Sequence, residues 1–305
     1  APQMAAILAR LKAEDAGLPD PVDLPPEGGR AQFAAVAARW NVDPPAMAEA
    51  RTVEGPGVRG ELRIPHGARP GLIVHVHGGG WCFGAPETHE RAARTLAAEA
   101  GLAVLSVRYR LAPEHPFPAG LDDVAAAWAA VRAAPAAFAA GDGPVGIAGD
   151  SAGANLALAL CLRAQADALP APAFAALFYG VFDADFETAS HRAPGVGYGL
   201  TRARMMAYWD RYMPDPAARE NPLASPLKAD DAALAALPPL WMNAADLDPL
   251  RDDALRLRDR LRALGREDPF VLHPGVIHGF MQMTAELEEA RRAFALAGAW
   301  IRERT

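Results

Sequence analysis

Three short segments of the chain carry the side chains that covalent catalysis by a serine requires. Ser151 lies in the sequence GDSAG, Asp248 begins the sequence DPLRDD, and His278 begins the sequence HGF. A serine hydroxyl attacks efficiently at neutral pH only when a base accepts its proton, and a carboxylate can orient that base. The order serine, aspartate, histidine along the chain is typical of hydrolases that carry GxSxG. We therefore predict acyl transfer through Ser151.

The sequence HGGGW at 77–81 has a composition suited to holding a negatively charged oxygen. Glycines let backbone N–H groups approach a substrate without obstruction by side chains. The triple glycine does not fit the phosphate-binding patterns. A dinucleotide fingerprint needs glycine where Phe83 stands, and a P-loop needs Lys-Ser/Thr where Ala85-Pro86 stands. The segment therefore predicts an oxyanion-binding loop and no nucleotide cofactor.

The surroundings of Ser151 strengthen a motif that is weak alone, because GxSxG also occurs by chance. The apolar run Val145–Ala148 is typical of a buried strand, and a helical pattern begins at Ala152. Ser151 is therefore expected at a sharp strand-to-helix turn, where its hydroxyl is presented to a ligand.

Spacing alone does not identify the base and its carboxylate. His278 follows an apolar run and should lie on a loop at the carboxyl edge of a sheet, where ligands bind, but it is one of eight histidines. Asp248 could instead cap a helix. Three other carboxylates are close in sequence: Asp246, Asp252 and Asp253. Spacing does not exclude Asp246 as the orienting acid.

The elements that must position these residues alternate between strand-like and helical patterns. Strands are predicted at 50–53, 58–64, 72–76, 103–107, 145–148, 174–178, 240–244 and 269–272, and helical patterns at 121–134, 152–166, 249–264 and 286–303. This alternation predicts an α/β fold with a mostly parallel sheet of eight strands covered by helices on both faces.

Two segments do not fit the alternation. Met4, Ile7, Leu8 and Leu11 have helical spacing, and the proline-rich sequence 19–26 ends that helix. About sixty residues separate the predicted strands 174–178 and 240–244. Within this insertion, four large residues have helical spacing: Met205, Trp209, Tyr212 and Met213. Such a stripe indicates packing in a core more than contact with a substrate. We expect the N-terminal helices and this insertion to form a cap.

Composition limits the partners. The 305 residues are 51% hydrophobic and 22% charged, with a net charge of −7, so neither nucleic acid nor an anionic membrane is expected as a partner. His75 and His77 share a strand face, but no third ligand has metal-binding spacing, so no metal is expected. Cys82 and Cys161 suggest no disulfide framework. No signal segment is evident, so we predict a cytoplasmic protein with a small-molecule substrate.

Five segments together resemble the bacterial hormone-sensitive-lipase-type esterases of the α/β-hydrolase superfamily: HGGGW at 77–81, YRLAPEHPFPA at 109–119, GDSAGAN at 149–155, DPLRDD at 248–253 and HGF at 278–280. The resemblance implies that Ser151 is the nucleophile, Asp248 the orienting acid and His278 the base. It also implies an oxyanion hole formed by the N–H groups of Gly79, Gly80 and Ala152.

The resemblance further implies an α/β-hydrolase fold divided between core and cap. The cap would comprise residues 1–45 and the insertion 183–215, and the catalytic core residues 46–182 and 216–305. The chain departs from the family pattern at Ala85, Arg108, Ala154 and Gly180. None of these touches the triad, but the last two could alter the shape of the pocket.

The function expected from these features is a serine carboxylesterase that hydrolyses short- to medium-chain esters with water and without a cofactor, with a homodimer as a candidate assembly. One alternative is a non-catalytic small-molecule receptor on the same fold, since a fold does not fix a function. A receptor has no need of a catalytic base, so the presence of His278 counts against this alternative. A second alternative is an amide hydrolase with the same triad, which the sequence does not distinguish.

Overall fold

The computed structural model describes residues 2–193 and 199–305. The strands in these ranges are β1 (Glu49–Gly55), β2 (Val58–Ile64), β3 (Leu72–Val76), β4 (Ala103–Val107), β5 (Val145–Asp150), β6 (Ala175–Phe178), β7 (Leu240–Leu247) and β8 (Phe270–Ile277). The helices are α1 (Pro2–Glu14), α2 (Pro26–Ala37), α3 (Glu90–Ala100), α4 (Ala119–Ala133), α5 (Ala152–Ala166), α6 (Ala189–Arg192), α7 (Arg202–Tyr212), α8 (Asp231–Ala235), α9 (Arg251–Ala263) and α10 (Glu288–Arg302). Among these described helices none is long and apolar enough to cross a membrane.

All eight strands belong to one sheet, in the order β1-β2-β4-β3-β5-β6-β7-β8. The pairs β1/β2 and β2/β4 are antiparallel, and the other pairs are parallel. Every residue of β3, β4 and β5 is buried, as expected for parallel strands covered by helices on both faces. The prediction of a mostly parallel eight-stranded α/β sheet is confirmed.

Two of the differences from the sequence prediction have an identifiable reason. The last strand was expected to end at Leu272, but β8 continues to Ile277. Pro274 interrupts the apolar run, and a strand tolerates proline at an edge, which is where β8 lies. Helix α3 was not predicted. Its buried face is Ala92, Ala93, Leu96, Ala97 and Ala100, so Leu96 is the one large apolar side chain on that face.

The N-terminal segment and the insertion pack against different parts of the core. Met4 and Ile7 of α1 belong to a buried cluster that also contains Phe280 and Met283, after β8. The predicted stripe of α7 is buried in the other large cluster, which lies with α4 and α5: Met205, Trp209, Tyr212 and Met213. The linker before α2 contacts the insertion, because Asp20 of the linker forms an ion pair of 2.5 Å with Arg204 of α7.

Candidate active site

Ser151 lies at the turn between β5 and α5, as predicted. Its backbone has φ 56° and ψ −121°, a region that side chains rarely adopt. The flanking glycines have no room for a side chain. A Cβ on Gly149 would be 2.3 Å from the carbonyl oxygen of Gly153, and a Cβ on Gly153 would be 2.0 Å from the carbonyl oxygen of Val76. The strained turn therefore depends on glycine at both positions, and it presents the Ser151 hydroxyl at the carboxyl edge of the sheet.

Ser151, His278 and Asp248 form one chain of hydrogen-bonding contacts. His278 Nε2 lies 2.9 Å from Ser151 Oγ, and His278 Nδ1 lies 2.8 Å from Asp248 Oδ2. The other oxygen of Asp248 accepts the N–H of Leu250 at 2.9 Å. Because an ionised carboxylate only accepts, it selects the tautomer with the proton on Nδ1, which leaves Nε2 free to accept the serine proton.

The three alternative carboxylates have other partners. Asp246 accepts the N–H of Gly275 at 3.4 Å and faces Arg251. Asp252 accepts the N–H of Ser190 at 2.8 Å. The third, Asp253, accepts the backbone N–H groups of residues 182 and 183 at 2.8 and 3.1 Å. Of the four aspartates, Asp248 is the one in contact with the His278 ring.

The two histidines considered as metal ligands are buried, and the ring of each makes a hydrogen-bonding contact. His75 Nδ1 lies 3.2 Å from Ser106 Oγ, and His77 Nδ1 lies 2.8 Å from the carbonyl oxygen of Gly78. Burial lowers the pKa of His75 to about 4 and that of His77 to about 3. Both rings are therefore neutral at physiological pH.

The glycine loop follows β3 and faces Ser151 across a cavity. Gly79 has φ 118° and Gly80 has φ 57°, and a Cβ on Gly80 would lie 2.4 Å from the ring of Tyr208. Among the described residues no hydrogen-bond acceptor is found for the amide N–H of either glycine. Ala152 is the first residue of α5, so its N–H also lacks an intrahelical acceptor. These groups have the freedom to donate to a ligand.

The cavity has a volume of about 270 Å³ and contains both the reactive side chains and the glycine loop. Ser151 and His278 line it together with Gly79 and Gly80. Apolar parts of its wall come from α2, from the turn after it, from α7 with the segment just before it, and from the segment after β8: Phe33, Val36, Ala37, Trp40, Leu200, Tyr208 and Met283. Polar side chains complete the wall: Thr88, His89, Asp150 and Gln282. A few convergent polar groups in an apolar cavity are typical of a small-molecule site.

Comparisons with known proteins agree with this geometry. A family model for the α/β hydrolase fold matches residues 73–282. The chain belongs to this family. It is 35% identical over 226 residues to carboxylesterase NlhH of Mycobacterium tuberculosis, an alignment covering 73% of this chain and 70% of that protein. It is 36% identical over 244 residues to carboxylic ester hydrolase LipN of the same organism, covering 75% of this chain and 63% of LipN.

Solved structures of the family superpose over nearly the whole chain. An ester hydrolase, EH1AB1, from the metagenome of Lake Arreo, solved with a derivative of bipyridine phosphonate, matches with a TM-score of 0.91 and 35% identity, over 99% of this chain and 98% of that one. A thermostable esterase from Pseudomonas putida ECU1011 matches with a TM-score of 0.91 and 29% identity, over 100% and 97%.

Two departures from the α/β-hydrolase pattern lie against each other. A Cβ on Gly180 would be 2.9 Å from the Cβ of Ala154 and 2.3 Å from the ring of Phe182. The methyl group of Ala154 therefore occupies space that a side chain at position 180 would need. Because the two positions contact each other, a larger residue at 180 requires a smaller one at 154.

Sequence analysis missed two residues beside the site. Tyr179 has φ 37° and packs edge-on against the His278 ring, with 5.1 Å between ring centroids. Asp150 is buried and accepts the N–H of Gly78 at 3.0 Å. Position 150 lies inside the quoted motif, so its charge was visible, but the contact joins residues 72 positions apart. No local spacing pattern indicates a contact at that separation.

Proposed function

We propose that this protein is a serine carboxylesterase in which Ser151 is the nucleophile, His278 the base and Asp248 the orienting acid. The observation that carries the proposal is the contact chain from Asp248 through His278 to Ser151, which opens on a mainly apolar cavity. The N–H groups of Gly79 and Gly80 beside it have no acceptor among the described residues. Family membership and the named activities of its relatives support the same reaction. An ester and water are the substrates.

The reaction begins with attack of Ser151 Oγ on the ester carbonyl carbon. The serine proton moves to His278 Nε2, and the carbonyl π electrons move to the oxygen, which becomes an oxyanion. We assign the donors for that oxyanion to the N–H groups of Gly79, Gly80 and Ala152. Collapse of the intermediate breaks the bond to the alcohol oxygen, which takes the proton from His278.

Deacylation repeats these steps with water in place of serine. His278 accepts a proton from water as its oxygen attacks the acyl carbon, and it then returns that proton to Ser151 Oγ as the acid leaves. Asp248 stays ionised and stabilises the imidazolium that forms in each half-reaction.

We further propose that residues 1–45 and 183–215 form a cap over a catalytic core of residues 46–182 and 216–305. Support comes from the cavity wall, to which Phe33 and Val36 of α2 and Tyr208 of α7 contribute apolar surface. The limited volume of about 270 Å³ favours short- to medium-chain acyl groups. A homodimer and a cytoplasmic location remain predictions, to be tested by sedimentation velocity and by cell fractionation.

The experiment that tests the proposal is a rate series on p-nitrophenyl esters of increasing acyl length, with Ser151→Ala as the blank. We expect kcat/KM to be highest for short and medium acyl groups and the blank to show only background hydrolysis. The matched p-nitroanilides should react far more slowly, because an amine leaves less readily than a phenolate. Hydrolysis that persists in the blank, or faster hydrolysis of anilides, would contradict the proposal.

A further inference from the structure

The carboxylate of Asp150 connects the two halves of the proposed oxyanion hole. Asp150 immediately precedes Ser151, and its Oδ1 accepts the N–H of Gly78 at 3.0 Å. Gly78 immediately precedes Gly79, the first proposed donor of the loop. A Cβ on Gly78 would come within 2.6 Å of Asp150 Oδ2, so the carboxylate and the loop are in direct contact. This one hydrogen bond spans the loop after β3 and the turn after β5.

The surroundings of Asp150 make it a fixed acceptor. The residue is only 6% exposed, and the ring of His89 places Nε2 3.5 Å from Asp150 Oδ2. Burial is the largest single influence and acts to raise the pKa of Asp150, but His89, His75 and His77 together outweigh it and lower the pKa to about 2. The group is therefore an ionised acceptor across the pH range in which a histidine base operates, and hydrogen bonds to charged groups are the strong ones.

We propose that Asp150 is a positioning residue, which acts through the N–H of Gly78 to hold the Gly79 and Gly80 donors at the distance from Ser151 that a tetrahedral oxyanion requires. The inference rests on the proposed function and adds a role for a residue outside the triad. Oxyanion stabilisation depends on donors fixed in advance of the reaction, and small displacements of a catalytic group reduce rates strongly.

The proposed role requires the hydrogen bond that Asp150 accepts from Gly78, and it does not require the negative charge of Asp150. Placed beside the donors, a negative charge opposes an oxyanion by Coulomb's law. An ionised Asp150 only accepts, so in the native protein Nε2, the His89 nitrogen that faces it, is the donor. In Asp150→Asn the His89 ring can take the other tautomer, in which Nδ1 donates to Thr88 Oγ1 at 2.8 Å and Nε2 accepts. An asparagine at position 150 can therefore accept from Gly78 through its oxygen and donate towards His89 through its amide nitrogen.

The test compares Asp150→Asn, which keeps the acceptor, with Asp150→Ala, which removes it. We measure kcat and KM on a short p-nitrophenyl ester and the affinity for a small alkyl trifluoromethyl ketone. Addition of Ser151 to such a ketone gives an oxyanion in the proposed hole. Asp150→Ala should lower kcat by about 10²-fold and weaken ketone binding to a similar degree, with little change in KM. Asp150→Asn should stay within about threefold of wild type in both measurements.

A matched control is Asp253→Ala, which also removes a buried carboxyl group that accepts backbone N–H groups, at 2.8 and 3.1 Å, but away from the glycine loop. It should lower the melting temperature without weakening ketone binding. Equal losses in Asp150→Asn and Asp150→Ala would overturn the proposal, because charge rather than the hydrogen bond would then matter. Unchanged ketone affinity in Asp150→Ala would overturn it as well.

If Asp150→Ala does not fold, Asp150→Asn still decides the question, since a loss larger than about tenfold would contradict the assigned role. Failure of this inference is distinguishable from failure of the proposed function. A wild-type protein that does not hydrolyse esters through Ser151 refutes the function, whereas an active wild type with two equally impaired Asp150 variants refutes only the role of Asp150.

Discussion

The substitution Asp248→Asn tests the orienting contact because it changes one atom type without changing shape. One oxygen of Asp248 accepts the N–H of Leu250 at 2.9 Å, and the other faces His278 Nδ1 at 2.8 Å. An asparagine that keeps its oxygen towards Leu250 turns its amide nitrogen towards His278. The ring must then accept at Nδ1 and carry its proton on Nε2, towards Ser151. That tautomer cannot take the serine proton.

The expected loss in kcat is the sum of two free-energy costs. Restoring the working tautomer requires the amide to flip, which places its nitrogen against the Leu250 N–H and leaves a buried donor unsatisfied, at about 1 to 3 kcal/mol. Loss of the charge-assisted contact to the imidazolium removes about 1.5 to 3 kcal/mol. At about 1.4 kcal/mol per factor of ten, the sum lowers kcat by about 10² to 10⁴-fold. KM should change little, because Asp248 does not line the cavity.

The assay is steady-state hydrolysis of a p-nitrophenyl ester by Asp248→Asn, with Asp246→Asn as the matched control. Asp246 contacts Gly275 and Arg251 and should tolerate the change with nearly wild-type kcat. Circular dichroism verifies that both variants are folded. A loss below about tenfold in Asp248→Asn, or a larger loss in Asp246→Asn, would refute the reasoning.

Three further predictions concern the base, the buried carboxyl and the cap. Ser151→Ala and His278→Ala should each lower kcat by about 10⁵ to 10⁶-fold while melting normally, and a residual activity of a few per cent in either would exclude it from the triad. Burial raises the pKa of Asp253 to about 8, above the value of about 3.9 in unfolded chains, so the native state binds this proton more tightly and its stability should fall as pH rises from 4 through 8. Asp253→Asn should abolish that fall in the free energy of unfolding, and parallel pH curves for the two proteins would show that the group is not protonated in the fold. Deleting residues 1–17 should raise KM for a bulky ester more than for an acetate ester, whereas unchanged constants on both would mean that α1 is a passive tail.

Sequence alone predicted the central sheet because its signal is local. Buried parallel strands appear as short apolar runs, and each such run became a strand within a few residues. The failures lie where local signals are weak. Four of the five buried residues of α3 are alanines, and Leu96 is its one large apolar residue. Strand β8 passes through Pro274, which is tolerated because β8 lies at the edge of the sheet. Edge position is a property of the whole sheet and is not visible in the segment itself.

The choice between Asp246 and Asp248 shows why motif spacing could not settle the site. The two residues are two positions apart, so a regular strand would direct both side chains to the same face. The pairing of β7 with β8 is irregular there, because Ala245 pairs with His273 while Leu247 pairs with Ile277. Between these two pairs β7 advances by two residues and β8 advances by four. Asp246 lies at this irregularity, whereas Asp248 lies beyond it, next to the residue that follows Ile277.

The same register accounts for the contact made by His278. Because Leu247 pairs with Ile277, the next residues of the two chains, Asp248 and His278, leave adjacent strands side by side. A carboxylate and an imidazole that leave parallel neighbours at the same level are within hydrogen-bonding reach without any further loop structure, and their 2.8 Å contact follows. A regular pairing continued from Ala245 and His273 would instead have placed Gly275 opposite Leu247. Asp248 would then have met Val276, two residues short of the histidine, and the Ser151 hydroxyl would have lacked an oriented base.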